Sequence, residues 1–428
     1  MKRWVPWVGI MLAGGLLIWE ASRRESGRPD SSFTATPAVA ARTLPAGRHG
    51  APWRAASSGT DDRLLNRLRE RLSDGGALAH QCVITFHSSG ALREFLSRAG
   101  RHGLRDLGRI DALSALRVGY DRLEQLRDAL EETSGGWRGA GANYLVGIPE
   151  FLQRENRPAG VGTVPYDSTR FLEAIGAAGK RDDWGSGVIV AVVDTGVADH
   201  PTLDAGQVVH LDLVDDGLPF NGHGTAMAGL IAGQDPQAPG VSPASTLLDV
   251  RVAGADGTGD TFTLAAGIVQ AADAGAQVIN ISLGTYGDSQ AVRDAVAYAE
   301  SQGAVVVGSA GNDQTANQLV FPAAISTVVS VGGVDADLQQ AYFSNSGSGL
   351  TVTAPAVGIA SAYGADLLVV GDGTSQAAAI TSGVLASGIS SGATNAAGAA
   401  AWVKQNAKPL DLPPERGGAG LVQVPVAR

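Results

Sequence analysis

Five runs of β-branched and other apolar residues recur beyond Gly160, over residues 188–193, 247–252, 278–281, 304–307 and 328–331, with Ala- and Gly-rich stretches between them. A strand with one face in water would alternate polar and apolar residues, so these unbroken runs need cover on both faces. Helical segments between successive strands provide that cover, and the pattern predicts an α/β fold, a doubly wound parallel sheet. In such folds ligands collect at the carboxyl ends of the strands, so the polar residues that follow each run carry the functional information.

The 428 residues leave room for two or three domains. A single cysteine, Cys82, excludes disulfide scaffolds, Cys-based zinc sites and redox pairs, and its place in an apolar strand predicts a packed thiol. The net charge of −10 divides into +5 over residues 1–60, +1 over 61–160 and −16 over 161–428. An acidic domain of that size repels phosphate backbones, so nucleic acid is excluded as its partner.

Residues 4–19 are 16 uncharged, mostly apolar positions behind Lys2 and Arg3, about 24 Å long as a helix. We read residues 1–20 as a signal peptide or, preferentially, an uncleaved membrane anchor, which makes the protein exported and anchored facing the outside or the periplasm, or else secreted. Residues 21–60 read as a flexible linker. Residues 61–157 form the next unit: a short helix, a strand at 82–86, and a helix from Ser89 carrying Leu92, Phe95 and Leu96. A strand near 115–120 follows, then a helix capped by Asp121 with Glu124 three residues on, and a last strand at 144–148. The order is that of a small ferredoxin-like α+β module, βαββαβ. Residues 158–428 form the α/β domain.

Three segments carry chemistry: Asp194-Thr195-Gly196 at the end of a strand, Gly222-His223-Gly224-Thr225, and Gly373-Thr374-Ser375. Attack of a hydroxyl on an acyl carbon at neutral pH needs an imidazole to take the proton and a carboxylate to orient and stabilise the imidazolium. Asp194, His223 and Ser375 meet that need. A serine at a helix N-terminus also has its own amide aimed where an oxyanion would develop, and Asn312, in Gly308-Ser309-Ala310-Gly311-Asn312, supplies a second donor.

With these residues in this order the chain resembles the subtilisin-like serine proteases, the subtilases of peptidase family S8, over well over half its length. The resemblance implies Asp194 as orienting carboxylate, His223 as general base then acid, Ser375 as nucleophile, and an oxyanion hole of Asn312 and Ser375. It implies substrate binding along Ser282, Leu283 and Gly284, where an extended peptide adds as a strand, and along Gly308, Ser309, Ala310 and Gly311. The module at 61–157 resembles the family's inhibitory propeptide, acting as an intramolecular inhibitor, with residues 151–163 threading the active site and self-cleavage near 158–163. The Phe321-Pro322 bond matches a place where relatives carry a cis peptide. Polypeptides are the implied substrates, the protein is expected to be a monomer, and no cofactor is required.

Two departures stand out. Relatives carry a proline four residues after the nucleophile where this chain has Ala379, and the segment 234–239 is short where calcium-dependent relatives have an oxygen-rich loop, which makes calcium there doubtful. A rival reading is a peptide-binding pseudoprotease that keeps the fold with its propeptide lodged in the cleft. Gly388-Ile389-Ser390-Ser391-Gly392 fits the α/β-hydrolase elbow pattern, but no histidine follows His223, and that mechanism needs one downstream. His200 and His210 read as solvated loop or strand-end residues.

Overall fold

A computed structural model describes residues 16–19, 61–73, 75–148, 163–166 and 170–425. The flexible linker, the expected cleavage segment and most of the apolar run at 4–19 lie outside the described residues. The end of that run, Leu16–Trp19 (β1), is a strand rather than the expected helix. Among the described residues no helix is long and apolar enough to cross a membrane.

The N-terminal module consists of α1 (Asp61–Leu72), β2 (Ala77–Phe86), α2 (Ser89–Ala99), β3 (Arg105–Ile110), β4 (Ala115–Gly119), α3 (Leu123–Glu132) and β5 (Trp137–Gly147). The body continues through α4 (Phe171–Ala174), β6 (Ile189–Asp194), β7 (Val208–Asp212), α5 (His223–Ala232), β8 (Thr246–Arg251), β9 (Thr258–Asp260), α6 (Thr261–Asp273), β10 (Val278–Ile281), α7 (Gln290–Ser301) and β11 (Val305–Ser309). It closes with β12 (Val329–Val334), β13 (Val352–Pro355), β14 (Ile359–Tyr363), β15 (Leu367–Gly371), α8 (Thr374–Ser390), α9 (Ala396–Asn406) and α10 (Pro414–Gly417). β14 and β15 form an antiparallel hairpin against which β1 pairs.

Seven parallel strands, in the order β13-β12-β11-β10-β6-β8-β7, form the central sheet of the body. Both faces are buried, as the apolar runs require. On β6, Val190 and Val192 join a core shared with α5 and α8, while Ala191 and Val193 join a second core shared with α6 and α7. The chain leaves β6 in one direction toward β7 and β8 and returns on its other side at β10, so the topological switch point lies between β6 and β10. A cleft opens at the carboxyl ends of strands at such a point. α5 and α8 are built from small residues and are buried on every side. That lets them pack against each other and against the sheet, with both N-termini at the switch point.

In the module, Leu68, Ile84, Phe95, Leu116, Leu126 and Leu130 pack between one sheet face and its helices. The Cys82 thiol is fully buried there, and burial pushes its pKa up to about 12. The opposite sheet face lies on the body, where Val83, Ile110, Leu113, Ala115 and Val146 share a core with α6 and α7. The cap expected at Asp121 lies one residue on, at Arg122. Gln125 Oε1 accepts from the backbone N–H groups of Asp121 (3.0 Å) and Arg122 (2.9 Å), while the Asp121 carboxylate is drawn outward to Arg105 at 2.7 Å. Phe321-Pro322 is cis.

Candidate active site

Asp194 is the last residue of β6, fully buried, and its Oδ1 accepts from the backbone N–H of Thr195 (2.8 Å) and from the Thr195 hydroxyl (3.1 Å). His223 opens α5, and its Nδ1 lies 2.8 Å from the same Oδ1. Thr195 Oγ1 in turn accepts from the Gly224 N–H at 3.1 Å, so one threonine ties the strand end to the first turn of the histidine helix. With Nδ1 donating to a carboxylate, Nε2 is the nitrogen left to take a proton.

Ser375 is the second residue of α8. Its Oγ donates to the carbonyl of Ser282 at 3.4 Å rather than to His223, so the structure joins the carboxylate and imidazole directly and leaves the hydroxyl with a neighbouring acceptor. Catalytic hydrogen bonds commonly tighten only when substrate is in place. Asn312 follows β11, and its Oδ1 accepts from Thr374 N (3.0 Å) and Thr374 Oγ1 (2.7 Å). This fixes the amide with Nδ2 turned away from Thr374, on the side of Gly373. A methyl group on Gly373 would lie 2.6 Å from Gln376 Oε1 and 3.1 Å from Asn312 Nδ2, so a larger residue there would displace the Gln376 amide and crowd the Asn312 donor. The arrangement offers an acceptor for a hydroxyl proton, a hydroxyl at a helix start, and an amide donor beside it.

A groove runs past these groups between β9 and the segment following β10, and β5 of the module lies in it. Leu145, Val146 and Gly147 pair antiparallel with Asp260, Gly259 and Thr258. Gly147 and Gly284 exchange two backbone hydrogen bonds, at 3.1 and 2.9 Å, and Ile148 N–H donates to Gly257 O at 3.1 Å. The described part of this groove strand is 145–148, and the expected segment 151–163 lies, apart from Thr163, outside the described residues. Polar contacts hold the module to the body. Arg117 pairs with Asp260 at 2.9 Å and lies 4.9 Å over the Phe262 ring, and Arg138 pairs with Asp294, whose carboxyl burial raises above the usual range. Asn143 Oδ1 accepts from the Phe262 N–H and the Thr261 hydroxyl, both at 3.0 Å, across the start of α6.

Ser282, Leu283 and Gly284 directly follow β10, and Gly308 to Gly311 close β11 beside them, with Ile281 paired to Gly308. The sequence did not disclose β9, whose three residues sit in a polar turn, nor that Leu145 to Ile148 would meet it. Thr195 and Thr374 stood inside the motifs without a role.

Of the two other histidines of the body, His200 departs from expectation, whereas His210 is exposed on the edge strand β7 as expected. His200 is buried, with Nδ1 2.9 Å from Thr202 Oγ1 and Nε2 3.0 Å from Leu367 O, and burial lowers its pKa. The His210 side chain is 44% exposed but pairs with buried Asp249 at 2.9 Å, which raises the imidazole pKa. Neither touches the groove residues. Among the described residues no cluster of three or more His, Cys, Asp or Glu side chains is placed to hold a metal ion.

A family model described as "Subtilase family" matches residues 185–417. M-protease of Shouchella clausii is 38% identical over 230 residues, 52% of this chain and 59% of its own length. Subtilisin BL of Lederbergia lenta is 37% identical over 249 residues, 57% of this chain and 85% of its own length. Among solved structures, fervidolysin from Fervidobacterium pennivorans, described as a keratinolytic enzyme related to subtilisin, aligns with a TM-score of 0.68 at 23% identity, over 81% of this chain and 60% of that one. This chain thus spans less than two thirds of M-protease and of fervidolysin, and the fervidolysin match speaks to the fold alone.

Proposed function

Because the chain belongs to the subtilase family of serine endopeptidases, we propose that it hydrolyses peptide bonds through an acyl-enzyme on Ser375, and that it is made as a precursor inhibited by its own N-terminal module. A substrate strand adds along Ser282 to Gly284, and its N–H replaces the Ser375 hydroxyl at the carbonyl of Ser282. The hydroxyl then turns to His223 Nε2, which takes the proton as Oγ attacks the scissile carbonyl. Asp194 holds the imidazole in the required tautomer and stabilises the imidazolium. The oxyanion is met by Asn312 Nδ2 and by the Ser375 N–H at the positive end of α8. His223 returns the proton to the leaving amine, and water repeats the sequence on the ester. The reaction uses no organic cofactor.

The observation that carries this reading is the strand at 145–148, laid antiparallel against Gly284 and β9 beside an Asp194–His223 pair bonded at 2.8 Å. A segment of the chain occupies the groove as a substrate would, and Arg117 and Arg138 hold its module to the body. The module is then an inhibitory propeptide, removed by cleavage near residues 158–163. Export completes the proposal, with residues 4–19 as anchor or cleaved leader. N-terminal sequencing of cell-associated and released protein distinguishes these two.

Treatment of the purified protein with a serine-directed fluorophosphonate tests the assignment. Modification of Ser375, lost in Ser375→Ala together with about 10⁶-fold of turnover and with precursor processing, is the expected result; the magnitude is carried over from a related subtilisin. An unmodified Ser375 in protein freed of its module would instead support the pseudoprotease.

A further inference from the structure

We infer that Val320 closes the pocket for the residue on the acyl side of the scissile bond, restricting cleavage to positions after small side chains. The inference rests on the protease reading and names the substrate class of that site. Gly147 marks the peptide residue that faces Gly284. In an antiparallel pair the residue two further on faces Ser282, whose carbonyl lies 3.4 Å from Ser375 Oγ. That second residue is the one whose carbonyl is attacked. β10 and β11 run side by side, and their continuations, Ser282 to Thr285 and Ser309 to Asn312, flank the space its side chain would enter.

Both walls are glycine at the critical points, Gly284 on one side and Gly311 on the other. Without side chains they would leave a flat, deep slot suited to an aromatic ring. The slot is filled from its far end. A methyl group built on Gly284 would meet Val320 Cγ2 at 2.6 Å, and one built on Gly311 would meet the Asn345 side-chain amide and Val320 Cγ1, the latter at 2.9 Å. The isopropyl group therefore spans the interval between the two walls.

Its position is fixed by backbone on both sides. Val320 N–H donates to Ala310 O at 3.1 Å, and its neighbour Phe321 exchanges hydrogen bonds with Thr285 at 2.7 and 3.2 Å. Val320 is buried yet belongs to none of the hydrophobic cores formed by the described residues. Its side chain serves the slot rather than the interior. A single methylene of mismatch in an apolar pocket changes selectivity by roughly 10- to 200-fold, so a whole isopropyl plug discriminates strongly against large side chains.

The test uses protein freed of its module and two p-nitroanilide peptides that differ only in the residue before the scissile bond, alanine in one and phenylalanine in the other. The wild type is expected to favour the alanine peptide by at least about 10-fold in kcat/KM, and Val320→Gly to raise the phenylalanine-to-alanine ratio by at least about 10-fold. Val320→Ala should fall between. Because the ratio is taken within one preparation, partial misfolding of a variant does not alter it. A wild type that prefers phenylalanine, or a ratio that stays unchanged across the three proteins, overturns the inference while leaving the protease standing. Failure to cut either peptide, with no fluorophosphonate on Ser375, overturns the protease reading itself.

Discussion

The module and the body solve the problem of burying a sheet in opposite ways. The body covers both faces of its parallel sheet with its own helices, and the two buried deepest, α5 and α8, are made of small residues that leave no solvent-facing side. The module covers one face with large side chains such as Phe95, Leu126 and Leu130 and leaves the other to α6 and α7 of the body. Charge follows the same division, near balance in the module and −16 beyond residue 160. A region that completes its own core can spend its strand ends on chemistry, whereas one that borrows a partner's surface is suited to binding and release. The module contributes a strand to the groove, with Arg117 beside it on Asp260, and no residue to the Asp194–His223–Ser375 constellation.

If this division holds, damage to the two regions separates. His223→Ala should remove about 10⁶-fold of turnover while leaving thermal unfolding of the module unchanged, a size again carried over from a related subtilisin. Asn312→Ala should cost about 10² to 10³ in kcat with little change in KM, a figure likewise measured on a subtilisin, because its amide meets only the charge that develops in the transition state. A comparable loss through KM instead would show Asn312 acting on substrate binding. Leu126→Ala, made in a Ser375→Ala precursor, should lower the stability of the module by about 2–5 kcal/mol, read by denaturant unfolding. The same change in an otherwise wild-type precursor should leave untouched the kcat of the processed protein, which no longer carries residue 126, and a lowered kcat there would mean that the module's stability shapes the body as it folds.

The smallest effect sharpens the comparison within the body. His210 has a raised pKa from its bond to Asp249, with Asp199 4.0 Å from its other nitrogen, and burial raises Asp249 as well. A group whose pKa is higher in the folded protein stabilises below its unfolded pKa and loses that contribution as pH rises through the folded one. Stability from this pair should therefore fall on going from about pH 6 to pH 8.5, and His210→Gln should flatten that fall. For a half-exposed imidazole the difference is below about 1 kcal/mol, or roughly 2–4 °C in melting temperature at most for a domain of this size. Calorimetry of the Ser375→Ala protein at the two pH values measures it.

The fold was legible where burial is two-sided. A run such as 188–193 has no polar residue because it has no wet face, and β6 appears within one residue of that run. Strand ends were less so, since β11 and β12 extend into Gly308-Ser309 and Gly332-Gly333, where low side-chain content hides the strand. The first half of β5 escaped notice for the same reason, its residues 138–142 alternating glycine and alanine after Arg138. The body's hairpin of β14 and β15 was not foreseen either. Of the candidate site, Asp194, His223, Asn312 and Ser375 stood in recognisable motifs. The surroundings did not, because β9 acts through where its backbone passes, and nothing in the sequence around Val320 shows which glycines its side chain will lie against. His200 looked like a solvent residue for want of any local sign that the hairpin would cover it.

The pairing of β5 with β9 has a consequence for how such a molecule is made. Without β5 the groove would be an open sheet edge, its N–H and C=O groups free to pair with any extended chain nearby, including another newly synthesised copy. A cutting edge of this kind is also the surface most prone to misassociation. If the module is the inhibitory propeptide proposed above, the chain is delivered with that edge already sheathed, and the edge is first bared only after the rest of the molecule has finished folding.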